Sequence, residues 1–149
     1  LANDLGISEC CRFPGFVASD GDLPGLYRMA DVFTTASQIE TQGLVLLEAL
    51  ASGLPVVAVE ATCIPELVKD NVTGYLVLPG DVDALANRLI RAIENPARAK
   101  EMGRHGQALV RKHAIEHTLD RHENLYKKHY ALRQAAPKRQ SVQMRWNRL

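Results

Sequence analysis

At 149 residues the chain is long enough for one domain with a real core, and 46% apolar with 23% charged residues excludes a disordered or collagen-like protein. The net charge of +1 hides an asymmetry: residues 1–96 carry five Lys/Arg against thirteen Asp/Glu, net −8, and residues 97–149 carry thirteen against four, net +9. The basic end reads as an interaction tail, or as a helical face that is solvated or meets an acidic partner surface. Its aromatics, Tyr126, Tyr130 and Trp146, are too few to interleave with bases, so nucleic acid is not an expected partner.

Taken in chain order, apolar runs of strand type alternate with helical patterns, the signature of a parallel sheet wrapped by helices. The first residues, 1–5, read as the end of a helix closed by Gly6, and a chain opening on Leu1 without a Met reads as a fragment. Strands are expected near 12–17, 31–35, 55–59 and 74–78. Helices are expected near 23–30, 43–52, 64–69, 82–94, 97–113 and 115–134. Pro55 enters its strand at the first residue, where a missing N–H is tolerated. Asp81 caps the helix from Val82, whose Leu85, Leu89, Ile90 and Ile93 recur at core spacing, and Asn95-Pro96 ends it. Four strands fall short of a complete doubly wound sheet, so the fold class is α/β with a partial, Rossmann-like parallel sheet. The domain is expected over 1–134, lacking its first strands, with a flexible basic tail over 135–149.

Three cysteines, Cys10, Cys11 and Cys63, are odd in number with two adjacent, which fits neither a disulfide framework nor a zinc ribbon. They read as buried reduced thiols of a cytoplasmic protein. No signal peptide is visible, and the apolar stretch Leu44 to Val59 is interrupted by Glu48, Gly53 and Pro55, which disqualifies it as a membrane span. Asn71-Val72-Thr73 matches a glycosylation acceptor but falls in a turn flanked by Asp70 and Gly74.

The chemistry concentrates in Glu40-Thr-Gln-Gly-Leu-Val-Leu-Leu-Glu48. From Gly43 to Ala51 this reads as a short buried helix, apolar on every face but Glu48, and a buried carboxylate needs a partner. Hydroxyl groups suit an acceptor-only side chain. The helix N-terminus near Gly43 favours a phosphate, and Glu48 lies roughly 7 Å further along the axis at about 1.5 Å per residue. An acid, an anion site and a second acid thus fall in one line, as do the sugar, diphosphate and ribose of a nucleotide sugar. An Arg partner elsewhere in the domain would explain Glu48 equally well on spacing alone.

The flanking residues carry the pattern further. Glu40 and Glu48 are followed by Ala51-Ser-Gly53-Leu-Pro55-Val56-Val57-Ala58. Upstream stand Val17 and Asp22-Leu-Pro-Gly-Leu-Tyr27-Arg-Met-Ala-Asp31, and downstream Ile64-Pro65-Glu66, Gly74-Tyr-Leu-Val and Pro79-Gly80-Asp81. Over roughly residues 1–130 the chain resembles the retaining glycosyltransferases of the large family four (group 1), built from two facing Rossmann domains. The resemblance implies a C-terminal, donor-binding domain of such an enzyme, inactive alone. It would transfer a hexose from a nucleoside diphosphate sugar to an acceptor hydroxyl with retention, with no metal and no other cofactor. It implies Glu40 as the catalytic acid at the donor sugar, backbone amides of Gln42, Gly43 and Leu44 on the sugar and diphosphate, and Glu48 on the ribose. The loop Gly15-Phe16-Val17 would pass beside the base. The partner implied is an N-terminal Rossmann domain that supplies much of the acceptor site. Two departures stand out: Thr62-Cys63 replaces the family's Gly-Gly before x-Pro-Glu, and Thr41-Gln42-Gly43 resembles members with lipid acceptors. A lipid acceptor and the basic end together suggest an anionic membrane surface as a further partner, with a peripheral place at the inner membrane face.

Two other classes remain open at this level. A donor-binding module without catalysis would have the same sequence. His113-Ala-Ile-Glu116-His117 matches an inverted zinc-peptidase pattern with both histidines on one helical face, but a third ligand is wanting.

Overall fold

Three short parallel strands organise the first of two compact units, Leu1–Lys112 and one that begins at His113, in the computed structural model, which describes residues 1–135. β1 (Phe33–Thr35), β2 (Val56–Val59) and β3 (Gly74–Val77) lie in the order β1-β2-β3, with Phe33 opposite Val56 and Val56 opposite Gly74. Between and after them run α1 (Leu23–Met29), α2 (Leu44–Ala51), α3 (Ile64–Leu67), α4 (Val82–Glu94) and α5 (Pro96–Val110). This is the α/β, Rossmann-like arrangement expected.

β2 is buried along its whole length, as a strand covered on both faces must be. Val56 and Ala58 join Leu46, Ala49 and Leu50 of α2 and Ile64 and Leu67 of α3 in one core cluster. Val57 points the other way, to Tyr75, Ala92 and Met102. Tyr75 is covered in turn by the guanidinium groups of Arg88 and Arg91, 5.1 and 5.5 Å from its ring centroid. Helix α5 crosses the C-terminal end of α2 at near-contact backbone distance. A Cβ on Gly103 would lie 1.8 Å from the Gly53 carbonyl oxygen, and one on Gly106 2.7 Å from Leu50 Cδ2. Gln107 Nε2 also donates to the Ala51 carbonyl at 3.2 Å.

Local signals in the sequence match the capping seen. Asp81 Oδ1 accepts the Ala84 amide at 2.8 Å, and Asn95 Oδ1 accepts that of Arg98 at 3.1 Å, with Pro96 opening α5. The turn at Asn71 forms with φ +57°, and Thr73 is buried, its hydroxyl accepting the Lys69 amide.

Several expectations are corrected. Residues 12–17 form no strand: Gly15, at φ +71°, breaks the extended run, and Phe13 and Phe16 are exposed. Residues 1–5 make a single turn closed by Gly6 at φ +68° instead of a helix. Ile90 and Ile93 lie outside the core, because α4 packs along the stripe of Leu85, Leu89 and Ala92, one position round the helix. None of the three cysteines is buried.

The second unit is described by α6 (Ile115–Ala135), which follows a 3-10 turn at Arg111–His113. His113 closes that turn and His117 lies inside α6, so the break at Ala114 denies them a shared helical face. Among the described residues no group of three His, Cys, Asp or Glu could hold a metal. The basic tail expected over 135–149 lies, but for Ala135, outside the described residues. No described helix is long and apolar enough to cross a membrane.

Candidate functional site

The carboxyl ends of β1 and β2 are adjacent, and the loops that leave them carry the first acid. In parallel α/β sheets this is the end where ligands bind. The loop after β1 is tightened by Ser37, whose amide donates to Thr35 Oγ1 and whose hydroxyl donates to the Ile39 carbonyl. It then delivers Glu40, half-buried, to the N-terminal end of α2.

Glu40 is bound into this corner from both its backbone and its side chain. Its Oε1 accepts the amides of Thr41 and Gly43, both at 3.0 Å, and its own N–H donates to Thr62 Oγ1 at 3.2 Å. The carboxylate therefore serves as a cap for the loop, and Oε2 is left without a partner among the described residues. Gly43, at φ +66°, is the residue that turns the chain into α2. A Cβ there would lie 2.3 Å from Leu67 Cδ1, so any other residue would strain the turn and displace that core side chain. The Gly43 amide, expected to face a ligand, is given to Glu40 instead. The amides of Leu44 and Val45 at the start of α2 have no protein partner among the described residues, and the Gln42 side chain is exposed beside them.

Thr62 was not singled out by sequence as a site residue except as a departure from Gly-Gly. Its backbone keeps the glycine-like conformation at φ +47°, a genuine outlier for a β-branched residue. Strain of this kind costs of order 1–3 kcal/mol. Thr62→Gly is therefore expected to stabilise the protein by about 1 kcal/mol, after the greater freedom of unfolded glycine is counted. Urea denaturation checks it, and a lowered midpoint would mean that the hydrogen bond to Glu40 outweighs the strain.

Glu48 is exposed, contrary to the expectation of a carboxylate buried in an all-apolar helix. α2 buries only Leu46, Ala49 and Leu50 and leaves Leu44, Val45 and Glu48 open. Burying one leucine is worth about 1.5–3 kcal/mol, so this single face suffices to dock the helix. The partner of Glu48 is the Tyr27 hydroxyl, which donates to Oε2 at 2.9 Å, not an Arg. Partial burial and the bond to Glu48 push the Tyr27 phenol up to about 12, so it stays a donor at neutral pH. The two residues line a cleft of about 200 Å³ with Ser19, Leu23, Pro24 and Ser52. That is below the roughly 300–1,000 Å³ of a complete ligand pocket and leaves room for one part of a ligand. Of the segment expected beside the base, Gly15 and Phe16 are exposed and Val17 half-buried. Ser19, two residues on, is the one that reaches the Glu48 cleft.

Residues 1–109 match the family model "Glycosyl transferases group 1". The chain is 36% identical over 117 residues to a GDP-mannose-dependent alpha-(1-6)-phosphatidylinositol monomannoside mannosyltransferase of Mycobacterium tuberculosis, covering 74% of this chain and 30% of that protein. It is 39% identical over 119 residues to a D-inositol 3-phosphate glycosyltransferase of Salinispora tropica, covering 80% of this chain and 24% of that one. Among solved structures, sucrose-phosphate synthase of Thermosynechococcus elongatus superposes with a TM-score of 0.81 at 30% identity, over 88% of this chain and 33% of the other. Anabaena HepE in complex with UDP-glucose gives 0.74 at 30% identity, over 85% and 35%. The chain thus spans about a third or less of the length of these relatives.

Proposed function

Since the chain belongs to the group 1 glycosyltransferases, we propose that it forms the donor side of an enzyme that transfers a hexose from a nucleoside diphosphate sugar, with retention, to an acceptor hydroxyl. The observation that supports this reading is that two acids stand in different settings, one before the start of α2 and one on its side. Glu40 is fixed at the α2 N-terminus by Thr41, Gly43 and Thr62, and Glu48 stands in a small cleft one and a half turns further on.

In this reading Glu40 offers Oε2 to the hydroxyls of the donor sugar. The open amides of Leu44 and Val45, with the partial positive charge of the helix end, meet the diphosphate. They stabilise the negative charge that develops on the leaving group. Glu48 accepts from the ribose, and the segment Gly15-Phe16-Val17 with Ser19 lies beside the base. A second, N-terminal Rossmann domain supplies the acceptor side. The phospholipid-type acceptor in the name of the Mycobacterium tuberculosis relative favours a lipid acceptor here.

The test is Glu48→Ala in the intact protein, titrated calorimetrically with UDP and with GDP. A hydrogen bond to a charged acceptor is worth about 1.5–3 kcal/mol, so affinity for the preferred nucleotide should fall about 10- to 150-fold. Unchanged affinity would remove Glu48 from the donor site. Retention is checked by the anomeric configuration of the product in proton NMR, where an inverted linkage would overturn it.

A further inference from the structure

We propose that Tyr27 is a positioning residue that makes the Glu48 cleft selective for a nucleotide with intact ribose hydroxyls. This rests on the donor-site reading above and adds to it a residue and a discrimination.

Glu48 is exposed on α2, and a lone exposed glutamate samples many rotamers that a ligand must freeze on binding. Tyr27 removes that freedom beforehand. Its own ring has only two side-chain torsions and rests on Phe33, with centroids 6.0 Å apart and planes tilted by 41°. The ring also packs against the core cluster formed by α2, α3 and β2. A side chain anchored in this way holds the carboxylate through one directed bond, Tyr27 Oη to Glu48 Oε2 at 2.9 Å. Oε1 has no partner among the described residues, and no described Lys, Arg or His forms an ion pair with Glu48. The choice of donor matters chemically. A guanidinium would occupy both oxygens and cancel their charge. One neutral hydroxyl occupies a single oxygen and leaves acceptor capacity whose natural complement is a pair of hydroxyl donors. A site built to accept from a hydroxyl rejects the analogue that lacks it far more strongly than an apolar pocket rejects a missing methylene.

The experiment compares the wild-type protein and Tyr27→Phe, both as intact chains, in calorimetric titrations with UDP, 2′,3′-dideoxy-UDP, GDP and 2′,3′-dideoxy-GDP. The wild type should prefer the ribonucleotide of its favoured base by at least 10-fold. Tyr27→Phe keeps the ring and its packing. It should shrink that preference several-fold by weakening the ribonucleotide while leaving the dideoxynucleotide within about twofold. A purely structural role would weaken both nucleotides in parallel, and an unchanged ratio overturns the assignment of Tyr27 alone. Glu48→Gln, which keeps an acceptor oxygen for Tyr27 but loses the charge, supplies the second reading and should narrow the same ratio. If the wild type binds each ribonucleotide and its dideoxy analogue equally, Glu48 does not read the ribose, and this proposal falls while the donor site stands. If it binds no nucleoside diphosphate of any base, the donor-site reading falls and this proposal with it.

Discussion

Gly103→Ala should destabilise the protein by about 3 kcal/mol, at or beyond the top of the usual range for overpacking. The reason is what the added Cβ meets. It would stand 1.8 Å from the Gly53 carbonyl oxygen and 2.7 Å from its carbon, and backbone atoms cannot swing aside as a side chain can. Retreat of α5 is opposed one turn later, where Gly106 lies against Leu50 and Gln107 is bonded to Ala51. Gly25→Ala is the control: nothing lies within 4 Å of that position, and alanine inside a helix is favoured over glycine by about 0.5–1 kcal/mol. Urea denaturation of the two variants should therefore move the midpoint in opposite directions. Equal midpoints would show that α5 does not pack against α2 at this distance.

The second large effect is expected at Glu40, and here the geometry separates two roles that a simple alanine substitution would confuse. Glu40→Gln retains an oxygen able to accept the Thr41 and Gly43 amides, so the loop should keep its shape and the melting temperature should hardly change. What it loses is the charge offered to the donor sugar. A charge-assisted hydrogen bond of about 1.5–3 kcal/mol expressed at the reacting sugar lowers kcat about 10- to 150-fold. Affinity for the nucleoside diphosphate, which lacks the sugar, should stay near wild type. Glu40→Ala adds the loss of the two loop hydrogen bonds to its carboxylate, about 1–3 kcal/mol of stability, to the same loss of turnover. Steady-state kinetics on the intact protein, paired with thermal melts, separate the effects. Wild-type kcat in Glu40→Gln would show that the acid is only a cap.

The sequence determined whatever depends on neighbours in the chain. The apolar run that Pro55 enters marked the strand seen at Val56–Val59, and Asp81, Asn95 and Pro96 marked helix ends, because caps and breakers act within four residues. The acids Glu40 and Glu48, with the flanking motifs, were enough to indicate the family that the match over residues 1–109 then established. Tertiary structure decided what depends on partners far along the chain. Residues 12–17 have strand-like composition, but a strand exists through its ladder, and Gly15 turns this segment away from one. Helix α2 is apolar almost all round, so periodicity could not say which face meets the sheet. Packing chose Leu46, Ala49 and Leu50 and left Glu48 in the open. The hydroxyls that hold the two acids, Tyr27 twenty-one residues before Glu48 and Thr62 twenty-two after Glu40, carry no periodic signal at all. Such contacts arise only when packing brings α1 against α2 and the loops after β1 and β2 together, and that is a property of the fold, not of any local stretch of residues.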